Sequence, residues 1–300
     1  MSRRLPPGAT RRERPRLAWR PEGAVAGGRV LPAEVAVAIS YNGTAQAVMM
    51  MSPADLDDFA HGFSLTEGIA RPGEIESIVP VGTALGIDLQ IWLTPKAGQR
   101  QAQRRRSMAG PVGCGLCGLE SLEEAMRPPR PVPPSALRLT PAQVSAAAAA
   151  MVAHQPLHDA TRAAHAAAFW TPAEGIVAAR EDVGRHNALD KLIGALMRAG
   201  RDGPEGAVVL TCRVSVDMVQ KCAALGAPVL IAVSAPTDAA VSAADAAGIT
   251  LAALARPGGF EVFTHPGRIA DSPDRTAAND PGKDDLHGQP NCEVHGIEAP

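Results

Sequence analysis

Aromatic side chains are scarce in this chain, at 3 % of 300 residues with a single tyrosine. Any core must therefore be aliphatic and alanine-rich, and a hydrophobic content of 46 % is enough for one large or two modest domains. Lysine is almost missing: Lys96, Lys191, Lys221 and Lys283 are the four among 29 basic side chains. The others are arginine, whose planar fork suits phosphate better than an ammonium does. Neither sign of charge is in excess, and a formal net charge of −2 gives no global attraction to nucleic acid, so none is expected as a partner. No run reaches the about 18 apolar residues of a membrane span, and no membrane role is expected. Arg3, Arg4, Arg11 and Arg12 are followed by no apolar stretch, so the start does not read as a secretory signal. The five cysteines are an odd count with one close pair, which argues against a disulfide framework and for a reducing cytoplasm.

That close pair sits in a glycine-rich segment, Gly113-Cys114-Gly115-Leu116-Cys117-Gly118, downstream of Arg104 to Arg106. Flanking glycines leave thiols uncovered, and nearby positive charge favours the reactive thiolate. Three chemistries use this spacing. Zinc needs further ligands, and His154, His158 and His165 are candidates to complete such a site. A thioredoxin-type dithiol follows a strand and opens a helix, and here no strand leads into the pair. A persulfide carrier needs an exposed nucleophilic cysteine, with a second thiol able to attack the S–S bond. Zinc-dependent deamination is excluded on other grounds: His165 is followed by Ala166-Ala167 where the acid of a His-x-Glu would stand, and the cysteines precede the histidine.

Along the chain, residues 1–30 read as a disordered arm and 272–300 as a disordered tail carrying Cys292 and His295. Val35, Val37, Ile39 and Tyr41 alternate up to Asn42-Gly43, a hairpin signal, with Val48 and Met50 on the return strand. Ser52 reads as the cap of a helix with Pro53 in its first turn and Leu56, Phe59 and Phe63 on its apolar stripe. Ile87 to Leu93 alternates as a strand, and Leu119 to Met126 reads as a short helix before a proline-rich connector. Thr140-Pro141 opens a further helix. From Gly175 onward strands and helices alternate: strands at 175–179, 207–211, 228–233, 249–254 and 260–263, helices at 186–197, 215–225 and 237–247. This order predicts an α/β domain over 135–270, preceded by a smaller hairpin-and-helix region over 31–130 that ends in the cysteine loop.

Three segments leave a strand end for the next helix or strand, which is where open α/β sheets bind ligands. The first is Glu181 to Lys191, containing Arg185, His186 and Asn187; its plain alternative is a capped helix with a solvated Asp-Lys face. The second is Thr211-Cys212-Arg213-Val214-Ser215, where Arg213 and free helix N–H groups suit a phosphate. The third is Arg256-Pro257-Gly258-Gly259, either a close-approach turn or an ordinary hairpin. Cys212 and Cys222 read as core residues.

Taken together, these stretches resemble the formate dehydrogenase accessory sulfurtransferase family. The carrying segments are Tyr41-Asn42-Gly43, Asp58 to Gly68, Cys114 to Gly118, Glu181 to Lys191, Arg213-Val214-Ser215 and Val233 to Thr237, covering 31–270. The resemblance implies a layered α/β sheet of cytidine deaminase type without its zinc, in a homodimer. It implies a protein that accepts sulfur from a cysteine desulfurase and passes it to a molybdenum cofactor bearing two molybdopterin guanine dinucleotides, for insertion into formate dehydrogenase. The cofactor is then a bound substrate, and no permanent metal is expected. The persulfide-bearing position falls on Cys114, with Cys117 matching the second thiol, and the family's cofactor contact falls on Leu254, Ala255, Arg256, Pro257, Gly258 and Gly259. Arg185, His186 and Arg213 are candidates to hold the dinucleotide's charge. The alternative is a cofactor-binding chaperone whose cysteines hold a structural zinc or are not catalytic.

Overall fold

The structure, a computed structural model, describes residues 9–108 and 128–270. Cys114, Cys117, the expected helix over Leu119 to Met126 and the tail from residue 272 lie outside them.

The first described elements correct an expectation. Residues 11–30, read as part of an unstructured arm, instead form with 31–32 an antiparallel ribbon of β1 (Arg11–Arg20) and β2 (Gly23–Pro32). Arginine and glycine hide the strand signal, which lies in Leu17, Trp19, Val25, Val30 and Leu31.

Next come β3 (Val35–Tyr41) and β4 (Thr44–Met51), joined by Asn42 at φ 48° and Gly43 at φ 75°, the left-handed pair that a tight hairpin requires. Helix α1 spans Leu56–Thr66. Its N-cap position is Asp55, with φ 53° and no side-chain cap bond; Ser52 does not cap it. Then follow β5 (Ile75–Gly82), β6 (Gly86–Leu93) and α2 (Pro95–Met108). The backbone of Arg104 to Arg106 is therefore helical, where a loop was expected. The four strands make a sheet of order β4-β3-β6-β5. Val37, Ile39, Tyr41, Leu89, Ile91 and Leu93 alternate onto one face and pack against Phe59, Ala60 and Phe63 of α1.

The second unit opens with α3 (Pro141–Ala150), capped by Thr140 and Gln143 in a reciprocal pair of bonds. It continues through α4 (Pro156–Thr161), β7 (His165–Thr171), β8 (Gly175–Asp182), α5 (Arg185–Arg198), β9 (Ala207–Leu210), α6 (Val216–Leu225), β10 (Val229–Ala232), α7 (Asp238–Ala247), β11 (Thr250–Arg256) and β12 (Gly259–Thr264). The six strands lie in the order β12-β11-β10-β9-β7-β8. Strands β9 and β10 are apolar throughout because both faces are covered. Val208, Leu210, Leu230 and Ala232 meet α5, α6 and α7. Ala207, Val209, Val229 and Ile231 meet α3 on the other side.

The two units join where α1 crosses α5. A Cβ on Gly62 would strike the Asp190 carbonyl, and one on Gly194 the Asp58 carbonyl, so glycine at both positions lets the backbones touch. Buried Asp58 of α1 ties the crossing, bound by Arg180 Nε at 2.8 Å and by Arg198 at 2.6 Å.

Candidate functional site at one edge of the sheet

Strands β9, β10 and β11 are parallel, β7 is antiparallel to β9, and β8 and β12 are antiparallel to β7 and β11. The carboxyl ends of β8, β9, β10 and β11 therefore share one edge with the starts of β7 and β12. Hydrogen bonds stitch the loops there into a continuous rim. Ala166 N–H donates to Thr211 Oγ1, Val214 N–H to Ala235 O, Thr237 N–H to Val214 O and Leu254 N–H to Ser234 O.

The Glu181 to Lys191 segment is held at this rim by buried polar contacts. Asp182 Oδ2 accepts from Lys191 Nζ at 2.6 Å and from Ser52 N–H at 3.0 Å, and its Oδ1 accepts from Gly184 N–H at 2.8 Å and Asn187 Nδ2 at 3.0 Å. Lys191 Nζ also donates to the Ser52 carbonyl, and Val183 N–H donates to Ser52 Oγ. Asp182 and Lys191 are both 0 % exposed. A buried carboxylate stripped of such a partner costs about 3–5 kcal/mol, so the pair fixes the loop. The solvated Asp-Lys face is thus ruled out. Asp190 is buried too, with Lys221 Nζ 2.9 Å from each of its oxygens. Burial disfavours the Lys221 charge, but Asp190 and Glu67 outweigh it and hold that pKa above the ordinary value. Glu181 accepts from the N–H groups of Leu157 and His158, both at 2.7 Å, anchoring α4 to the same corner.

On this frame Arg185 and His186 stand half-buried at the rim. Helices α5 and α6 follow N-cap positions Gly184 and Ser215, and neither residue makes a side-chain cap bond. Arg185 Nε is buried without a hydrogen-bond partner among the described residues. His186 Nε2 lies 2.8 Å from Asp217 Oδ2, and Ser215 Oγ donates to the same oxygen at 3.1 Å instead of capping α6. Burial works against the Asp217 charge, but the bonds from His186 and Ser215 keep its carboxyl below the usual range. His165 is depressed first by burial and then by the Arg185 charge. Burial pushes the Cys212 thiol up, with Arg185 and Arg213 pulling the other way. Arg213 itself is exposed.

Farther along the rim is the turn from β11 to β12. Leu254 has φ 55°, a strained value for leucine, inside a break in the β11–β12 register. Gly258 at φ 112° and Gly259 at φ 148° complete the turn, with Arg256 paired to Gly259 and exposed. At about 4.8 Å per strand, the rim from β8 to β11 spans about 19 Å. Arg185 and His186 thus stand at one end, Arg213 follows β9 midway, and Leu254 to Gly259 stand at the other end. Cys114 and Cys117 fall outside the described residues. Asp217, Ser52 and the Asp182–Lys191 pair were not found from sequence; Ser52 and Asp182 are 130 positions apart, and no local pattern links them. Among the described residues no group of three His, Cys, Asp or Glu side chains is placed to hold a metal. His158 Nδ1 instead lies 3.1 Å from the Ala164 carbonyl. The rim offers guanidinium donors, two helix N-termini and a glycine turn open to close approach, which suits an elongated polyanion.

The FdhD/NarQ family model matches residues 32–270. A protein of Agrobacterium fabrum named sulfur carrier protein FdhD is 51 % identical over 255 residues, covering 85 % of this chain and 94 % of that one. A protein of the same name from Brucella abortus is 52 % identical over 257 residues, covering 85 % and 96 %. A crystal structure of a putative formate dehydrogenase accessory protein from Desulfotalea psychrophila superposes with a TM-score of 0.69 at 26 % identity, covering 87 % of this chain and 99 % of that one.

Proposed function

The chain belongs to the FdhD/NarQ family, and from that premise we propose that it is a cytoplasmic sulfur carrier that activates the cofactor of formate dehydrogenase. In this reading Cys114 is the carrier. Its thiolate attacks the outer sulfur of a cysteine desulfurase persulfide, forming Cys114–S–SH and releasing the donor as a thiolate. Cys117 can then attack the Cys114 sulfur, leaving a Cys114–Cys117 disulfide and expelling the outer sulfur as hydrosulfide. The acceptor is the molybdenum cofactor with its two guanine dinucleotides, written as substrate. We also take the six-stranded unit to be of cytidine deaminase type and the working form to be a homodimer.

The observation that carries the reading is the shared rim. Forked donors and helix N-termini suit a pyrophosphate-bearing ligand, and Arg185, Arg213 and Arg256 stand on one edge, with α5 opening at Arg185 and α6 just after Arg213. The strained Leu254 and the two following glycines let backbone approach a flat base. His186, oriented by Asp217, adds a donor at the arginine end.

The test separates holding the ligand from loading the sulfur. Arg256 is exposed, so Arg256→Ala leaves the fold intact. It is expected to weaken guanosine diphosphate binding at least tenfold by calorimetry while persulfide loading by a desulfurase is unchanged. Unaltered nucleotide affinity, or loss of loading together with binding, contradicts the assignment.

A further inference from the structure

At the edge where the parallel strands begin, opposite the rim, a cleft of about 360 Å³ opens between the proline-rich connector that leads into α3 and the end of β12. Pro134, Ser135 and Arg138 form one wall, and His265, Gly267 and Arg268 form the other. The walls are fastened together, because Leu139 N–H donates to Arg268 O and Ala270 N–H to Leu139 O. Arg268 also binds Thr250, the first residue of β11, whereas Leu254 to Arg256 at the far end of that strand reach the rim. Seven residues of strand put about 20 Å between the two edges, so the cleft is separate from the rim.

Among the described residues, neither guanidinium group of the cleft has a carboxylate partner, and no aspartate or glutamate lines it. Arg268 Nη1 donates to the Gly248 carbonyl at 2.8 Å and to Thr250 Oγ1 at 3.2 Å. These bonds fix the fork and leave its Nε and Nη2 without a hydrogen bond to any described residue. Arg138 Nη1 donates to the Leu137 carbonyl at 2.9 Å. Burial, together with the like charge of Arg138, holds the Arg268 pKa below its ordinary value. His265 has φ 47°, and non-glycine residues held in that region cluster at ligand sites. Its ring is fixed by Nε2, which donates to the Asp245 carbonyl at 2.9 Å and lies 3.4 Å from Asp245 Oδ1. Two like charges held together with donors unspent favour an anion between them.

We propose that this cleft is a second anion site, which takes a phosphoryl group between Arg138 and Arg268. Arg268 supplies Nε and Nη2 as a fork already held in place, and Arg138, exposed on the connector, closes from the other wall. At about 30 Å³ per water molecule in the liquid, the cleft has room for about twelve, more than a bare oxyanion fills. Pro134 gives the remaining space an apolar wall. The ligand class is therefore a small phosphomonoester, with inorganic phosphate the other source of the same group. Once bound, the anion ties the connector, which follows the cysteine segment in the chain, to the end of β12. The site uses none of the residues assigned to sulfur transfer or to the rim, and it stands whether or not the sulfur-carrier reading holds.

The test uses the full chain at constant ionic strength. Protein labelled with ¹⁵N is titrated with sodium phosphate and, in a second arm, with glycerol phosphate, and the backbone amides of Gly267 and Arg268 are followed by NMR. Both amides are expected to shift saturably, and Arg138→Ala to weaken that binding by about fivefold or more. Arg138 is exposed and donates only to the carbonyls of Ser135 and Leu137, so its truncation leaves the fold intact, which unchanged amide positions away from the cleft verify. Glycerol phosphate binding about threefold tighter than phosphate, or more, identifies an organic phosphomonoester as the ligand; a smaller gain identifies inorganic phosphate itself. Phosphate held at the rim alone moves the amides of Gly258 and Gly259 and is indifferent to Arg138→Ala. That result, the lack of a saturable shift at Gly267 and Arg268, or shifts there that survive Arg138→Ala unaltered, would overturn the proposal.

Discussion

His165 stands where the start of β7 meets the arginine end of the rim, and its pKa is held below 6.5 by burial and by Arg185. The sign of the consequence is fixed. The unfolded chain binds a proton at this histidine as pH falls through 6.5 while the folded chain does not, so stability declines below that value until the folded group titrates. Urea midpoints measured between pH 7.5 and 5 should fall, and His165→Gln should flatten that part of the curve; an identical pH slope in the variant refutes the assignment. Sequence made only part of this corner legible. Arg185, His186 and Arg213 were visible because strand-to-helix junctions are short and marked by charge. Asp217 was not, since its link to His186 bridges two separate helices. Ser52 was misread because a serine before proline carries the same local signature whether it caps a helix or, as here, donates and accepts at Asp182 and Val183.

The crossing of α1 and α5 depends on what is absent from Gly62 and Gly194. Alanine improves intrinsic helix stability by up to about 1 kcal/mol over glycine, so a solvent-facing position would gain from Gly194→Ala. At this crossing the added methyl meets the Asp58 carbonyl, and the helices must separate. The expected outcome is a net loss of about 2 kcal/mol by chemical denaturation, in the range of overpacking. A stabilised variant shows that the backbones are not in contact. The same contrast between local signal and tertiary setting explains which elements could be read. Strands β9 and β10 were legible because burial on both faces makes every position apolar. Strand β7 was missed, as Ala166 to Ala168 fit a helix as well as a strand, and only their place between β8 and β9 decides. The turn at Asn42-Gly43 was legible because few dipeptides tolerate two left-handed residues.

At the scale of the molecule, a small sheet with its helix is locked onto a larger α/β unit through Asp58, Asp182 and Asp190, the last accepting from Thr66 Oγ1 at 2.8 Å. The α/β class could be read from element order. How the two units join could not, because the contacts pair residues more than 120 positions apart. In the proposed function the rim holds the polyanion and the cysteine loop brings sulfur to it. That division of labour is tested most directly by incubating the protein with a cysteine desulfurase and isotopically labelled cysteine, then mapping the label by mass spectrometry and assaying zinc in the same sample. The account predicts one added sulfur atom on Cys114, removed by reductant and absent from Cys114→Ala. Unmodified Cys114 with one equivalent of zinc per chain would contradict it.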